Sequence, residues 1–172
     1  MRLPFLRKAA SSGEPLVLAM TGARLGEAVL FVGSSRQLAL PLAARVGLSG
    51  RCVVAGAAAA SLEARATAEG VLVEPAPDVP ADRSFDLAVV EAEGDWARLA
   101  ARALVAVRPG GRIVVIAAAP RTGLLSRLTS APDPPAPADG IVANLTAAGW
   151  LRARDIGQRD GLMFVEAFAR HG

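Results

Sequence analysis

The stretch AVLFVGSSRQLALPLAARV, residues 28–46, decides the fold of this chain. Its first part, AVLFVG (28–33), is an apolar run of the length expected for a buried strand. After two serines, RQLALPLAARV (36–46) spaces its apolar residues as one face of a helix does. The same order of strand and helix recurs along the chain, and this alternation is typical of a parallel sheet covered by helices.

Short apolar runs predict seven strands, and the periodic segments between them predict the helices. The predicted strands are residues 28–33, 51–56, 71–74, 85–92, 112–119, 151–158 and 161–169. The predicted helices are residues 36–46, 57–70, 96–107, 123–128 and 139–148. Because Arg159, Asp160 and Gly161 have a tight-turn composition, the last two strands should form an antiparallel hairpin. The predicted fold class is therefore α/β, with a single doubly wound, mostly parallel, seven-stranded sheet that ends in an antiparallel hairpin.

Length and composition fit one globular domain. At 172 residues the chain can bury a sizeable core without a disulfide or a structural metal. Hydrophobic residues make up 52% and charged residues 20%, which excludes a chain that is disordered throughout. Charges or turn residues interrupt every apolar run before it reaches the roughly 18 residues of a membrane-spanning helix. We therefore expect no transmembrane span.

Reactive side chains are scarce in this sequence. It has one cysteine (Cys52), one histidine (His171) and one lysine (Lys8), and it has no tyrosine. Because His171 and Lys8 lie near the chain ends, Ser-His-Asp and Cys-His centres and Schiff-base chemistry are disfavoured. The same counts disfavour a zinc site built on histidine and cysteine. We expect Cys52 to be an inert core residue, and any reactive group to be a carboxylate, a backbone amide or a cofactor.

Charge is distributed unevenly along the chain. The formal charge is +5 over residues 1–51, −7 over 52–95, +6 over 96–127 and −1 over the remaining residues. Two interpretations stay open at this point. Neighbouring segments either neutralise one another in the fold, or they form a basic face towards an anionic partner such as lipid head groups, nucleic acid or an acidic protein.

Four segments together resemble the class I S-adenosylmethionine-dependent methyltransferases, a family with a Rossmann-like fold. Residues 22–47 resemble the first strand of the family with its glycine-rich loop and first helix, and residues 84–93 resemble the fourth strand. Residues 107–117 resemble the signature turn with the fifth strand, and residues 145–170 resemble the terminal helix and hairpin. The resemblance implies a methyltransferase-like domain over residues 14–172, with a proline-rich loop at 129–138. Residues 1–13 are then a basic, apolar N-terminal tail.

The resemblance also implies where the cofactor would bind. Gly33, Ser34 and Ser35 occupy the loop that holds the methionine end of S-adenosylmethionine in the family. Phe31 stands where the family has an acidic residue, and Ser35 and Gln37 replace its second and third glycines. The loop amides at the start of a helix still suit an anionic ligand group.

Three further positions follow from the resemblance. Gly56 stands where the family has an acid that binds the ribose, and the loss of such a hydrogen bond costs on the order of 2–3 kcal/mol. Glu74 falls where an acid often binds the adenine amino group, or it is a solvated strand-end carboxylate. Glu91 lies after the fourth strand, close to Glu93 and Asp95, where the family places substrate-proximal residues.

The carboxylates around the fourth strand have plainer interpretations as well. Asp86 is expected to be structural, as it commonly is in the family. Glu91 and Glu93 are either candidate general bases or solvated side chains, while Asp95 is a candidate N-cap for the helix that begins at Trp96. Trp96 is expected to be a packing residue. No residue is therefore nominated as catalytic.

Function remains divided among three hypotheses. The preferred one is a methyltransferase-like domain that has lost catalysis, binds no cofactor and acts as an accessory or structural subunit that docks on a larger protein complex, with membrane association of that complex left open. The alternatives are an active S-adenosylmethionine-dependent methyltransferase and a regulatory domain for another nucleotide.

The partner is expected to be a protein or a membrane protein complex, and a nucleic acid is not expected. Because the N-terminal segment lacks the apolar stretch of a secretory signal, we predict a cytoplasmic location, with peripheral membrane attachment left open. The residues assigned to docking are Arg2, Phe5, Leu6, Arg7, Lys8, Arg121 and Arg127.

Overall fold

The computed structural model describes residues 16–56, 59–119 and 138–171 of the chain. Within these ranges it contains five α-helices and seven β-strands. The helices are α1 (Leu16–Thr21), α2 (Arg36–Val46), α3 (Ala59–Ala68), α4 (Trp96–Ala106) and α5 (Ala138–Ala147). The strands are β1 (Ala28–Val32), β2 (Arg51–Ala55), β3 (Glu74–Ala76), β4 (Phe85–Glu91), β5 (Val107–Ala118), β6 (Leu151–Arg159) and β7 (Leu162–Phe168).

All seven strands form one sheet in the order β3-β2-β1-β4-β5-β7-β6. Strands β1 to β5 run parallel, and β7 lies antiparallel between β5 and β6. The strand order reverses between β1 and β4, because the chain moves outward through β2 and β3 before it returns to the other side of β1. The predicted fold class is therefore confirmed. Doubly wound sheets bind their ligands where the strand order reverses, beyond the carboxyl ends of the strands.

Two hydrophobic clusters cover the two faces of the sheet, because successive side chains of a strand point to opposite faces. Val29 and Phe31 of β1 belong to the cluster that includes residues of α1, α2 and α3. Leu30 and Val32 belong to the other cluster, which includes residues of α4 and α5 together with the buried Trp150. The apolar run of β1 is therefore buried on both faces, as expected for a central parallel strand.

The third strand lies later in the sequence than predicted. Residues 71–74 were expected to form it, but β3 begins at Glu74 and ends at Ala76. Val71 instead donates its backbone N–H to the carbonyl of Ala66 at the end of α3, at 2.9 Å, and packs on the helical cluster. The apolar residues of this run therefore serve the contact between α3 and the sheet rather than strand pairing.

The fifth strand begins earlier than predicted. Arg108 to Gly111 were expected to form a turn before a strand over 112–119, but they lie inside β5 as a bulge. Val107 pairs with Phe85, while the next pair joins Arg112 to Leu87. The extra residues are accommodated because Gly110 has a φ of +76°.

The predicted hairpin is confirmed, with a tighter turn. Arg159 pairs with Leu162, so the loop consists only of Asp160 and Gly161, which have φ values of +52° and +76°. Positive φ at both positions is the geometry of a type I′ turn.

Other helix boundaries differ from the prediction by one or two residues, and α1 was not predicted. The predicted helix 123–128, the tail 1–13 and all of the proline-rich loop except Ala138 lie outside the described residues. Ala138 is the first residue of α5.

Candidate functional site

A cavity of about 300 Å³ opens at the carboxyl ends of the parallel strands, where the strand order reverses. Its volume is at the lower end of the range of ligand sites, about 300–1,000 Å³. Loops after β1, β2, β3 and β4 contribute to its walls, together with one residue of α4. The lining residues are Val32, Gly33, Ser34, Ala55, Gly56, Pro77, Asp78, Val79, Glu91, Glu93 and Leu99.

The Glu91 carboxylate is bound to the loop between β1 and α2. Its Oε2 accepts hydrogen bonds from the backbone N–H groups of Ser34, at 2.7 Å, and Ser35, at 2.9 Å. Ser35 is the N-cap of α2, and its own side chain makes no capping hydrogen bond. A carboxylate near a helix N-terminus is favoured by the helix dipole, so Glu91 supplies the negative group that this loop attracts.

Gly33 makes this contact possible because it has no side chain. A Cβ at this position would lie 2.7 Å from Cδ and 2.8 Å from Cγ of Glu91. A second acid adds to the contact, since the Ser34 hydroxyl donates to Oε2 of Glu93 at 3.0 Å. The turn after β1 is therefore covered by the carboxylate of Glu91, the last residue of β4, and by that of Glu93, which follows the strand.

Gly56 lies where the sequence placed it, at the end of β2 and on the wall of the cavity. It has a φ of +113°, and, its chain neighbours aside, no heavy atom of the described residues lies within 4 Å of the position that a Cβ would take. The position therefore offers open space at the wall of the cavity and no side chain to bind a ribose.

Glu74 does not reach the cavity. It pairs with Val53 at the start of β3, and its carboxylate accepts a hydrogen bond from Nε of Arg51 at 2.9 Å. Because β3 was placed too early in the sequence, Glu74 was expected after the strand instead of at its beginning. Its assignment as an adenine ligand stays a prediction, to which the geometry adds no support.

Asp78 is the acid that does follow β3, and sequence reasoning missed it. It lines the cavity, forms an ion pair with Arg102 and accepts a hydrogen bond from the Val79 N–H at 2.8 Å. The hydrogen bond from Arg102, followed by that from Val79, lowers the pKa of Asp78 below its ordinary value. If the end of β3 had been predicted correctly from the sequence, Asp78 would have been identified as the acid that follows this strand.

The structural interpretation of Asp86 is confirmed. Its Oδ2 accepts the backbone N–H of Ala28 at 2.7 Å, and its Oδ1 lies 2.6 Å from Nη2 of Arg108. This carboxylate therefore ties β1 to the loop inside β5.

Asp95 occupies the N-cap position of α4, as predicted, but its side chain makes no capping hydrogen bond and instead lies 3.6 Å from Arg98. Trp96, the first residue of α4, is partly buried and packs against the core, as expected.

Each acid that lines the cavity already has a partner: Asp78 binds Arg102, Glu91 binds the loop amides and Glu93 binds Ser34. Among the described residues, no three His, Cys, Asp or Glu side chains come close enough together to hold a metal ion. With the loop amides taken by Glu91 and no acid at Gly56, this arrangement does not fit S-adenosylmethionine, so we derive no reaction step through that cofactor.

No protein-family model matches the sequence, and no curated protein matches it as a relative. The fold does match solved structures. A SAM dependent methyltransferase from Aquifex aeolicus superimposes with a TM-score of 0.70 at 17% identity, over 89% of this chain and 87% of that one. The chain has the fold of the class I S-adenosylmethionine-dependent methyltransferases.

Two other structures show how widely this methyltransferase fold is used. PigF, solved with SAH, matches with a TM-score of 0.63 at 17% identity, over 83% of this chain and 56% of that one. The 4+2 cyclase SpnF matches with a TM-score of 0.68 at 17% identity, over 91% of this chain and 79% of that one. Because one of these proteins is named a cyclase, the methyltransferase fold does not by itself fix the reaction.

The structure also bears on the membrane. Of the helices within the described ranges, none combines the length and the apolar character needed to cross a bilayer.

Proposed function

We propose that this chain is a methyltransferase-like domain that has lost catalysis and serves as an accessory or structural subunit of a larger complex. The observation that carries the proposal is the double hydrogen bond from the amides of Ser34 and Ser35 to Glu91. In enzymes that this fold resembles, the corresponding loop holds the methionine end of the cofactor. Here a side chain of the protein itself satisfies the same donors.

Displacing Glu91 would weaken cofactor binding. A hydrogen bond to a charged group stabilises by about 1.5–3 kcal/mol, and each 1.4 kcal/mol corresponds to a tenfold change in affinity. Because Ser34 is exposed to solvent, we use the lower end of this energy range. Each hydrogen bond to Glu91 that must be broken then lowers the affinity for the cofactor by about 10-fold. The displaced carboxylate would also remain close to the cofactor's own carboxylate, and the two charges would repel.

The open position at Gly56 adds to this loss. The missing bidentate hydrogen bond to a ribose costs on the order of 2–3 kcal/mol, which is about a 30-fold to 150-fold loss of affinity. Together with Glu91, this supports loss of the cofactor rather than a change of substrate.

An active methyltransferase is the second candidate, and the position of the cavity favours it. The cavity lies at the reversal of strand order, where ligands of doubly wound sheets bind. Under this alternative, Glu91 would have to leave the loop before the cofactor could enter.

Titration calorimetry with S-adenosylmethionine and with its demethylated product separates the two candidates. We expect no heat of binding at millimolar ligand for the wild-type protein, and weak binding to appear in Glu91→Ala, whose loop amides are free. Glu63→Ala, an exposed acid of α3, is the matched control and should behave as the wild type. Micromolar binding by the wild type would contradict the proposal.

The docking role rests on the sequence of two basic, apolar segments, residues 1–13 and the region of Arg121 and Arg127. Such segments suit a cytoplasmic membrane surface or a protein partner at that surface. Deletion of residues 1–13 should abolish co-fractionation with membranes. The melting temperature of the variant checks that the deletion leaves the domain folded. If the deletion variant still fractionated with membranes as the wild type does, a docking role of residues 1–13 would be contradicted.

A further inference from the structure

A second cavity, of about 500 Å³, lies at the opposite edge of the sheet from the candidate site. It is formed where the loop before β4, the bulge of β5 and the chain after β7 come together. Three basic side chains line it, Arg83, Arg170 and His171. Leu104, Val107, Pro109 and Ala169 give it an apolar wall.

All three basic residues are exposed, and the fold brings them together at the cavity, where the His171 ring packs on the backbone of β5. Ala169 donates its backbone N–H to the carbonyl of Gly111 at 2.8 Å, which extends the pairing of β7 with β5 by one residue, directly before Arg170 and His171. A Cβ on Gly110 would lie 2.8 Å from Nδ1 and Cε1 of His171. The imidazole therefore lies directly against the backbone of the β5 bulge, and a glycine makes room for it.

None of the described residues that line the cavity is acidic. The neighbouring carboxylates are engaged elsewhere, Asp82 with Arg51 and Ser84, and Asp86 with Ala28 and Arg108. Although desolvation opposes it, the hydrogen bonds at Ser84 and the charge of Arg51 lower the pKa of Asp82, so that group stays ionised within its own pair. Neither Arg83 nor Arg170 forms an ion pair within the described part of the chain.

Guanidinium groups recognise phosphate through paired N–H donors, and an imidazole adds a further donor. A phosphate monoester offers three terminal oxygens and a charge of about −1.5 to −2, which fits three donors better than the two oxygens of a carboxylate. The apolar wall would then take the organic part of the same molecule.

We propose that this second cavity binds the phosphate group of a phosphorylated molecule, either a soluble metabolite or a lipid with a phosphomonoester head group. The site is independent of the candidate cofactor site, because the two cavities share no lining residue and lie at opposite edges of the sheet.

The single histidine of the chain makes the test specific. In protein labelled with ¹⁵N at histidine, phenyl phosphate should shift the His171 signals in a saturable way at millimolar concentration, and benzoate should do so more weakly. Arg83→Gln and Arg170→Gln should each weaken binding by about 10-fold, since each removes a charge-assisted hydrogen bond. Arg36→Gln, an exposed arginine at the other edge, is the matched control and should bind as the wild type.

The proposal fails if the shifts do not saturate, or if the two cavity variants bind phenyl phosphate as tightly as Arg36→Gln does. Sedimentation with phosphatidylcholine vesicles, with and without phosphatidic acid, identifies the source of the phosphate. Binding to phosphatidic acid that decreases in Arg83→Gln and Arg170→Gln supports a lipid head group. Saturable binding of phenyl phosphate without such arginine-dependent sedimentation supports a soluble ligand.

Discussion

Cys52 is the only thiol of the chain, and it lies in β2 with 4% of its surface exposed. Burial, with a smaller effect of the Glu74 charge, raises the pKa of this thiol to about 12. Because the thiolate is the nucleophile, we expect iodoacetamide to leave native Cys52 unmodified at pH 8 and to label it at the rate of global unfolding. Mass spectrometry across a urea series measures this, and fast labelling in native buffer would contradict it.

Asp78 gives a prediction for acid pH. Because its folded pKa is lowered, chiefly by Arg102, its contribution to stability is present above about pH 4 and is lost as the pH falls through the folded value. Arg102→Gln should return the pKa of Asp78 towards about 3.9, as measured by carboxyl ¹³C NMR. Arg98→Gln is the control and should move this pKa less, because Arg98 is the weakest of the contributing groups. Equal effects of the two variants would contradict the assignment.

A single residue also shows where sequence reasoning stops. Asp78 lines the cavity and Glu74 does not, because β3 starts at Glu74 and Asp78 follows its end. Apolar content alone does not distinguish residues that pair in the sheet from residues that pack on a helix. The apolar pattern of the sequence therefore could not predict where the three-residue strand β3 ends.

At the scale of elements, an arginine fork connects the segment before β1 to β5. Arg112 donates to both oxygens of Glu27 at 3.1 Å and to the Gly22 carbonyl at 2.7 Å. Both side chains are largely buried, with 17% and 15% of their surfaces exposed. Arg112→Gln should therefore lower the free energy of unfolding by about 2–4 kcal/mol, because it leaves Glu27 without its partner.

Urea denaturation of Arg112→Gln measures this loss. Arg154→Gln is the comparison, since its pair with Glu166 has an arginine that is 66% exposed, and it should lose no more than about 1 kcal/mol. If the two variants lost similar amounts of unfolding free energy, the pair of Arg112 with Glu27 would stabilise the protein no more than the exposed pair does.

The contact between Gly33 and Glu91 can be tested by a double-mutant cycle. Gly33→Ala should destabilise the protein by about 1–3 kcal/mol, because the added Cβ displaces the carboxylate from the two amides. In the Glu91→Ala background the same substitution should be nearly neutral, since no carboxylate remains to be displaced. If chemical denaturation showed that the losses of the two single variants add in the double variant, the effect of Gly33→Ala would not act through Glu91.

Element boundaries show which sequence signals are reliable. The bounds of β1 and α2 within the stretch 28–46 were predicted to within one residue, because β1 is an uninterrupted apolar run and α2 has clear helical spacing. The RPGG segment was assigned to a turn, since proline and two glycines favour one. It lies inside β5 instead, because pairing of Val107 with Phe85 extends the strand on the far side of the bulge.

At the scale of the whole molecule, the charge blocks largely neutralise one another. Arginines of the segment 96–127 bind acids of the segment 52–95, as in the pairs of Arg102 with Asp78 and Arg108 with Asp86. The first of the two interpretations of the charge pattern is therefore supported within the described residues. The arginines that line the second cavity, Arg83 and Arg170, form no such pair within the described residues, and they lie together because the starts of β4 and β5 and the end of β7 meet at one edge.

The sheet should also open unevenly. The central strands β1 and β4 are buried on both faces, whereas β6 is an edge strand whose side chains are mostly exposed. We expect amides of β1 and β4 to exchange with solvent only through global unfolding, and those of β6 and the short β3 through local opening. Native-state hydrogen exchange measures this, and equal protection of β6 and β4 would contradict it.

Glu91, expected after the fourth strand, is instead the last residue of β4. The sequence by itself determined the α/β fold, the number of strands, the terminal hairpin and the positions of Gly33 and Gly56 after β1 and β2. These features follow from local periodicity and turn composition, which a single segment carries without its neighbours. Only the tertiary structure decided that Glu91 binds the amides of Ser34 and Ser35, more than 50 residues away, and that Arg83 shares a cavity with His171. Such contacts depend on strand register and order, and one residue of register changes which side chains face each other.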